Sequence, residues 1–239
     1  MIKAIWLALA RFLLNCPPPV RKAAATVMAE FLVWKYARLT VAGRENLPRA
    51  DAGPYLFIAN HLSNADALVI ASVLKSYRPY FLAGVKLAGA VNSRLMLDAV
   101  NHIPINPGTA DLHAIQKALQ VIGTGNSLMI FPEGTRSRTA RMNEGKKGIV
   151  LLAKLAGVPI VPLALAGTED LCPINDTAME KEFFQAADVT VRIGRPFRLA
   201  PPAPEEPKKT WEERNLRRLM VSIAEMLPPA YRGFYGTID

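Results

Sequence analysis

Residues Tyr55-Leu56-Phe57-Ile58-Ala59 run directly into Asn60-His61-Leu62-Ser63-Asn64-Ala65-Asp66, and this junction decides how the chain is read. Short apolar runs of this kind mark buried strands. The histidine therefore sits where a strand ends and a helix, running to about residue 74, begins. Imidazole is the side chain whose ordinary pKa lies closest to neutral, so it can take a proton from a substrate at working pH. A carboxylate about one helical turn further on can hold the ring in one tautomer and stabilise the imidazolium. Such a pair needs no serine or cysteine if the substrate supplies the nucleophile. A lone histidine is more often structural than basic. Of the three histidines, only His61 has an aspartate five positions on; His102 is followed there by Pro107 and His113 by Ala118. The spacing alone leaves both readings open.

On either side of this junction, short apolar strands alternate with helical patterns. Strands are expected at residues 39–42, 55–59, 79–83, 103–105, 127–131, 158–166 and 189–193. Helices are expected at 86–99, at 110–123, where Leu112, Ile115, Leu119 and Ile122 repeat at the helical period, and at 146–157, ending at a glycine. A proline-rich connector at 201–207 precedes a last helix at 211–227, whose charge blocks read as a solvated face. This alternation argues for an α/β layer architecture.

The 239 residues suffice for one large domain with a sizeable core. Half of them are hydrophobic (51%), mean hydropathy is +0.15 and the net charge is +9. A basic, oily chain points to nucleic acid or an anionic membrane surface as partner. The charge is concentrated at the start. Within residues 1–44, seven basic residues (Lys3, Arg11, Arg21, Lys22, Lys35, Arg38, Arg44) stand against Glu30 alone, which is +6 of the +9.

Ile2, Ile5, Trp6, Leu9, Phe12 and Leu13 fall on one helical face, with Lys3, Arg11 and Asn15 on the other. Pro17-Pro18-Pro19 breaks the chain before a second apolar helix at about 20–38. A basic amphipathic helix with aromatic residues on its oily face fits an interfacial anchor. The competing reading is that both helices pack on the core. No segment reaches the roughly 18–20 uninterrupted apolar residues of a spanning helix, and Arg11 interrupts any signal-peptide core. Zinc-finger spacings and RNA-binding aromatic signatures are missing, which speaks against nucleic acid. Cys16 and Cys172 are the two cysteines, far apart and without metal-ligand company, which fits a reducing compartment and small buried side chains.

A second motif follows another apolar strand: Phe131-Pro132-Glu133-Gly134-Thr135-Arg136-Ser137-Arg138. The glycine lets backbone turn sharply and approach a ligand. Arg136 and Arg138 offer planar forks suited to phosphate or carboxylate, and Arg141, Lys146 and Lys147 add positive charge. Glu133 either accepts hydrogen bonds from a polyol hydroxyl or braces Arg136. The site suits an anionic, hydroxyl-bearing substrate.

With both motifs in order, the chain resembles the glycerolipid acyltransferase family, and specifically its bacterial 1-acyl-sn-glycerol-3-phosphate acyltransferases. His61 and Asp66 match the family's first block, Glu133, Gly134, Thr135 and Arg136 its third, and Val158-Pro159-Ile160-Val161-Pro162-Leu163 resembles its fourth. The likeness spans roughly residues 39–198. One block departs: the arginine position that usually closes the second motif falls at or near Pro107, whereas Lys86 upstream is in place. Losing that arginine removes a charge-assisted bond of about 1.5–3 kcal/mol.

The resemblance implies a mixed central sheet flanked by helices in an acyltransferase domain at residues 39–239, with residues 1–38 as a two-helix membrane-docking element. It implies transfer of a fatty acyl group from acyl-CoA or acyl-ACP to the free hydroxyl of lysophosphatidic acid. No resident cofactor or metal is implied, and the thioester is a co-substrate. His61 is the implied base and Asp66 its orienting carboxylate. Glu133, Gly134, Thr135, Arg136, Ser63 and Lys86 are expected to bind substrate. The protein is expected on the cytoplasmic face of the inner membrane, held peripherally or monotopically by anionic lipids. The sequence leaves two alternatives open: another lysolipid or an amino-acid-derived lipid as acceptor, and a non-enzymatic membrane-binding protein with a decayed site.

Overall fold

Apolar runs that alternate with helices bury both faces of a sheet, and the computed structural model of the protein shows this for residues 10, 12–84, 91–106, 111–178 and 181–237. The helices are α1 (Pro18–Tyr36), α2 (Ala65–Val73), α3 (Val91–Asp98), α4 (Leu112–Gly123), α5 (Gly148–Ala156), α6 (Thr168–Leu171) and α7 (Lys208–Ala224). The strands are β1 (Ala37–Ala42), β2 (Leu56–Ala59), β3 (Tyr80–Gly84), β4 (Asn101–Ile105), β5 (Leu128–Ile130), β6 (Ile160–Ala166) and β7 (Ala187–Ile193). Each strand expected from the sequence is present within two residues of its expected ends. The short α6 had no periodic signal. Helix α7 starts at Lys208 because the extended Pro207 is its cap residue, and Gly157, at φ 60°, closes α5 in the left-handed conformation that glycine adopts without strain.

The sheet order is β1-β7-β6-β2-β5-β3-β4. Strands β2 to β6 run parallel; β7 is antiparallel to β6, and β1 is parallel to β7. This is the mixed central sheet expected above. Strand β2 lies at its middle, with Leu56, Phe57, Ile58 and Ala59 wholly buried. Phe57 and Ala59 face a core shared with α1, α2 and α6, while Leu56 and Ile58 face one shared with α4, α5 and α7. Because β2 pairs β5 in the register Ile58↔Ile130, the loops that leave their C-terminal ends emerge side by side. Crevices at the carboxyl ends of parallel strands are where open α/β sheets bind ligands.

Helix α1 begins at Pro18, since a proline in the first turn loses only a donor that would be unpaired anyway. It passes straight into β1 without a linker. One face packs on the domain: Ala25, Leu32 and Val33 are buried, and Arg21 pairs with Asp98 of α3 at 2.8 Å. The other face is apolar and exposed at Val20, Val27, Phe31 and Trp34, the last 77% accessible. Part of the N-terminal positive charge is spent within the fold, as Lys22 donates to Asn101 and Arg38 pairs with Asp188. The amphipathic pattern expected for residues 2–13 lies almost wholly outside the described residues. Among the described residues, no helix is long and apolar enough to cross a membrane.

Candidate active site

Strand β2 delivers the first motif in a fixed register. Asn60 is wholly buried; its amide nitrogen donates to Leu165 O at 2.9 Å and its oxygen accepts from Leu165 N at 2.8 Å. A side chain thus imitates one more rung of the β2–β6 ladder beyond Ala59↔Leu163. The chain then turns into α2 around one carboxylate oxygen. Asp66 Oδ2 lies 2.7 Å from His61 Nδ1 and accepts the backbone N–H groups of Leu62 and Ser63 at 2.6 and 2.9 Å. These three contacts, all on Oδ2, offset part of the cost of burying the Asp66 charge; Oδ1 is buried without a hydrogen-bond partner among the described residues. An ionised carboxylate only accepts, so the His61 proton sits on Nδ1 and Nε2 keeps its lone pair.

The second motif grips the same histidine from the other side. The Phe131 ring stacks on the imidazole, with centroids 4.0 Å apart and planes 11° from parallel. Glu133 is wholly buried; Oε1 accepts the backbone N–H of His61 at 2.8 Å and Oε2 that of Asn143 at 2.7 Å. Burial pushes the Glu133 carboxyl up to about 7, against these two donors, which favour the ionised form. The His61 carbonyl in turn accepts from Ser137 N at 2.7 Å. Gly134 takes φ +70°, as the turn requires.

These loops form one end of a cleft of about 250 Å³. His61, Asn64, Gly134, Thr135 and Arg136 line its polar end; Phe81, Ala83, Met96, Val100 and Ile130 contribute an apolar wall. A second cavity of about 630 Å³ lies beneath α1 and shares Phe81 and Val100 with the first. Arg136 is largely buried, its Nη1 donating to Glu182 Oε2 at 2.7 Å.

Most of the sequence-derived candidates therefore converge, with two corrections. Ser63 does not face the cleft: it is wholly buried, donating to Cys172 O at 2.8 Å and accepting from Ala65 N at 3.1 Å, so it shapes the turn into α2. Glu133 does not brace Arg136: it is wholly buried with both oxygens accepting backbone N–H groups, and Arg136 is braced by Glu182 instead. Lys86 and Pro107 lie outside the described residues. Cys172 is buried, and burial pushes its thiol up to about 12, which removes it as a nucleophile at neutral pH. Sequence reasoning missed Asn60 as the register pin and Phe131 as the ring's support, although both stand inside the quoted motifs. It also missed Glu182, for which no local pattern exists.

Residues 38–166 match the family model described as Acyltransferase. A chloroplastic 1-acyl-sn-glycerol-3-phosphate acyltransferase of Brassica napus is 27% identical over 173 residues, 72% of this chain and 49% of that protein. A probable 1-acyl-sn-glycerol-3-phosphate acyltransferase of Mycoplasma pneumoniae is 31% identical over 163 residues, 64% of this chain and 59% of that protein. The chain spans about half the length of the curated relatives it matches. The crystal structure of the 1-acyl-sn-glycerophosphate acyltransferase PlsC from Thermotoga maritima shares the fold, with a TM-score of 0.60 at 22% identity over 90% of this chain and 87% of that one. With the family model covering more than half of its length, the chain belongs to the acyltransferase family.

Proposed function

We propose that the protein transfers a fatty acyl group from an acyl thioester, acyl-CoA or acyl-ACP, to the free hydroxyl of lysophosphatidic acid, giving phosphatidic acid. The observation that carries this reading is the His61 Nδ1–Asp66 contact at 2.7 Å at the polar end of a cleft that also holds Arg136. His61 Nε2 takes the proton of the acceptor hydroxyl. The oxygen attacks the thioester carbonyl carbon, the tetrahedral intermediate collapses with loss of thiolate, and the imidazolium returns its proton to that thiolate. Asp66 stabilises the imidazolium while it exists. Arg136 and Thr135 hold the phosphate end, and the apolar wall, continuing through Phe81 and Val100 towards the larger cavity, holds the acyl chain. The exposed α1 stripe of Val20, Val27, Phe31 and Trp34 rests on the membrane surface from which the lysolipid comes.

A second reading, transfer to a different lysolipid or amino-acid-derived lipid, is favoured by Pro107 standing where the family usually carries a basic residue. Kinetics of the purified full chain with a panel of acceptors and both donor types separate the two. A marked kcat/KM preference for lysophosphatidic acid supports the first; transfer confined to another acceptor replaces it with the second.

A further inference from the structure

Glu182 lies outside residues 38–166, the span matched by the family model, and outside both motifs. It is nevertheless 2% exposed and joins three segments of the site. Its Oε2 accepts from Asn64 Nδ2 at 2.6 Å and from Arg136 Nη1 at 2.7 Å, and its Oε1 accepts from Asn175 N at 3.2 Å. Asn64 stands two residues before Asp66, in the turn that orients His61. One carboxylate oxygen therefore ties the base-bearing loop to the cation of the second motif.

We infer that Glu182 is a positioning residue that sets the guanidinium of Arg136 against the acceptor's phosphate. A free arginine side chain samples many rotamers; one fixed at Nη1 presents its remaining N–H groups to the cleft in a single orientation. The pair is formally neutral, so directed hydrogen bonds rather than bare positive charge recognise the anion at this end. The inference rests on the proposed acceptor being a lysolipid phosphate.

Reach and charge are separable by substitution. Glu182→Asp keeps the charge but withdraws it by one methylene, so it cannot span Asn64 and Arg136 together. Glu182→Gln keeps the reach and an accepting oxygen, losing the charge and the long Asn175 contact. The test is steady-state kinetics of the full chain with lysophosphatidic acid and with neutral monoacylglycerol. Glu182→Asp should raise KM for lysophosphatidic acid about tenfold or more, Glu182→Gln less than about threefold, with kcat changing less than KM in both. Neither should alter KM for the neutral acceptor. In an Arg136→Ala background, Glu182→Asp should add nothing further, because it acts through Arg136.

The reverse order of the two variants, equal losses with both acceptors, or an undiminished effect without Arg136 overturns the inference. If the wild-type chain does not acylate lysophosphatidic acid, the functional reading itself fails; if it does and Glu182→Asp behaves as wild type, the inference alone fails.

Discussion

Glu133 holds His61 by its backbone, not by its ring: Oε1 accepts the His61 N–H at 2.8 Å while Oε2 accepts the Asn143 N–H at 2.7 Å. The ring is left to Asp66 on one edge and to Phe131 on one face. Position and chemistry are thus assigned to different carboxylates. Glu133 fixes where the histidine stands, and Asp66 fixes which nitrogen carries the proton.

Glu133→Gln should destabilise the protein by about 1–3 kcal/mol, because the new NH2 group faces one of the two N–H donors and leaves it unpaired. The substitution should also change the pH dependence of stability. The Glu133 carboxyl is raised from its ordinary 4.5 to about 7, chiefly by burial. Between those values the folded state binds more protons than the unfolded chain, so this residue's contribution is fully present below 4.5 and is lost as pH rises through about 7. Denaturant titrations at pH 4.5, 6 and 8 should show that downward component in wild type and its loss in Glu133→Gln.

Asn60→Ala should cost more, roughly 2–4 kcal/mol, since it strands both the N–H and the C=O of Leu165 in the core. It should also lower kcat, as the rung that sets where β2 releases His61 is gone. Thermal melts with parallel turnover measurements check both effects; a variant that melts as wild type would contradict the register role.

The architecture was largely legible because its signals are local. The run ending at Ala59 and the run ending at Phe131 both appear as buried strands, and their pairing Ile58↔Ile130 brings the two motifs together. The period of α4 was also visible, but not its orientation: Ala114, Ala118 and Ile122 are buried while Leu112 is 64% exposed. The site was harder at Ser63 and Glu133, polar residues within ligand-like motifs whose inward direction is set by backbone donors that only the fold supplies. Glu182 contacts residues 118 and 46 positions away, and one acidic residue in a loop has no period to reveal it.

If the exposed α1 stripe is the membrane contact proposed above, replacing Val27, Phe31 and Trp34 together by serine should weaken binding to anionic vesicles at least about tenfold. The melting temperature should stay within a few degrees, since surface substitutions usually change stability by less than about 0.5 kcal/mol each. Deleting the whole helix would be uninformative: Leu32 and Val33 are buried against the domain, so removal opens the core. Vesicle co-sedimentation of the triple variant reads the effect, and undiminished binding would place the membrane contact elsewhere.

The central claim is that His61 is the base for acyl transfer to a lysolipid hydroxyl. Its most direct measurement is mass-spectrometric detection of phosphatidic acid formed by the purified full chain from lysophosphatidic acid and an acyl thioester, comparing wild type with His61→Ala. General-base removal should lower kcat by about 10²–10⁴-fold while the melting temperature, and binding of the acyl thioester, change little. A His61→Ala protein that still forms phosphatidic acid at the wild-type rate would contradict the account.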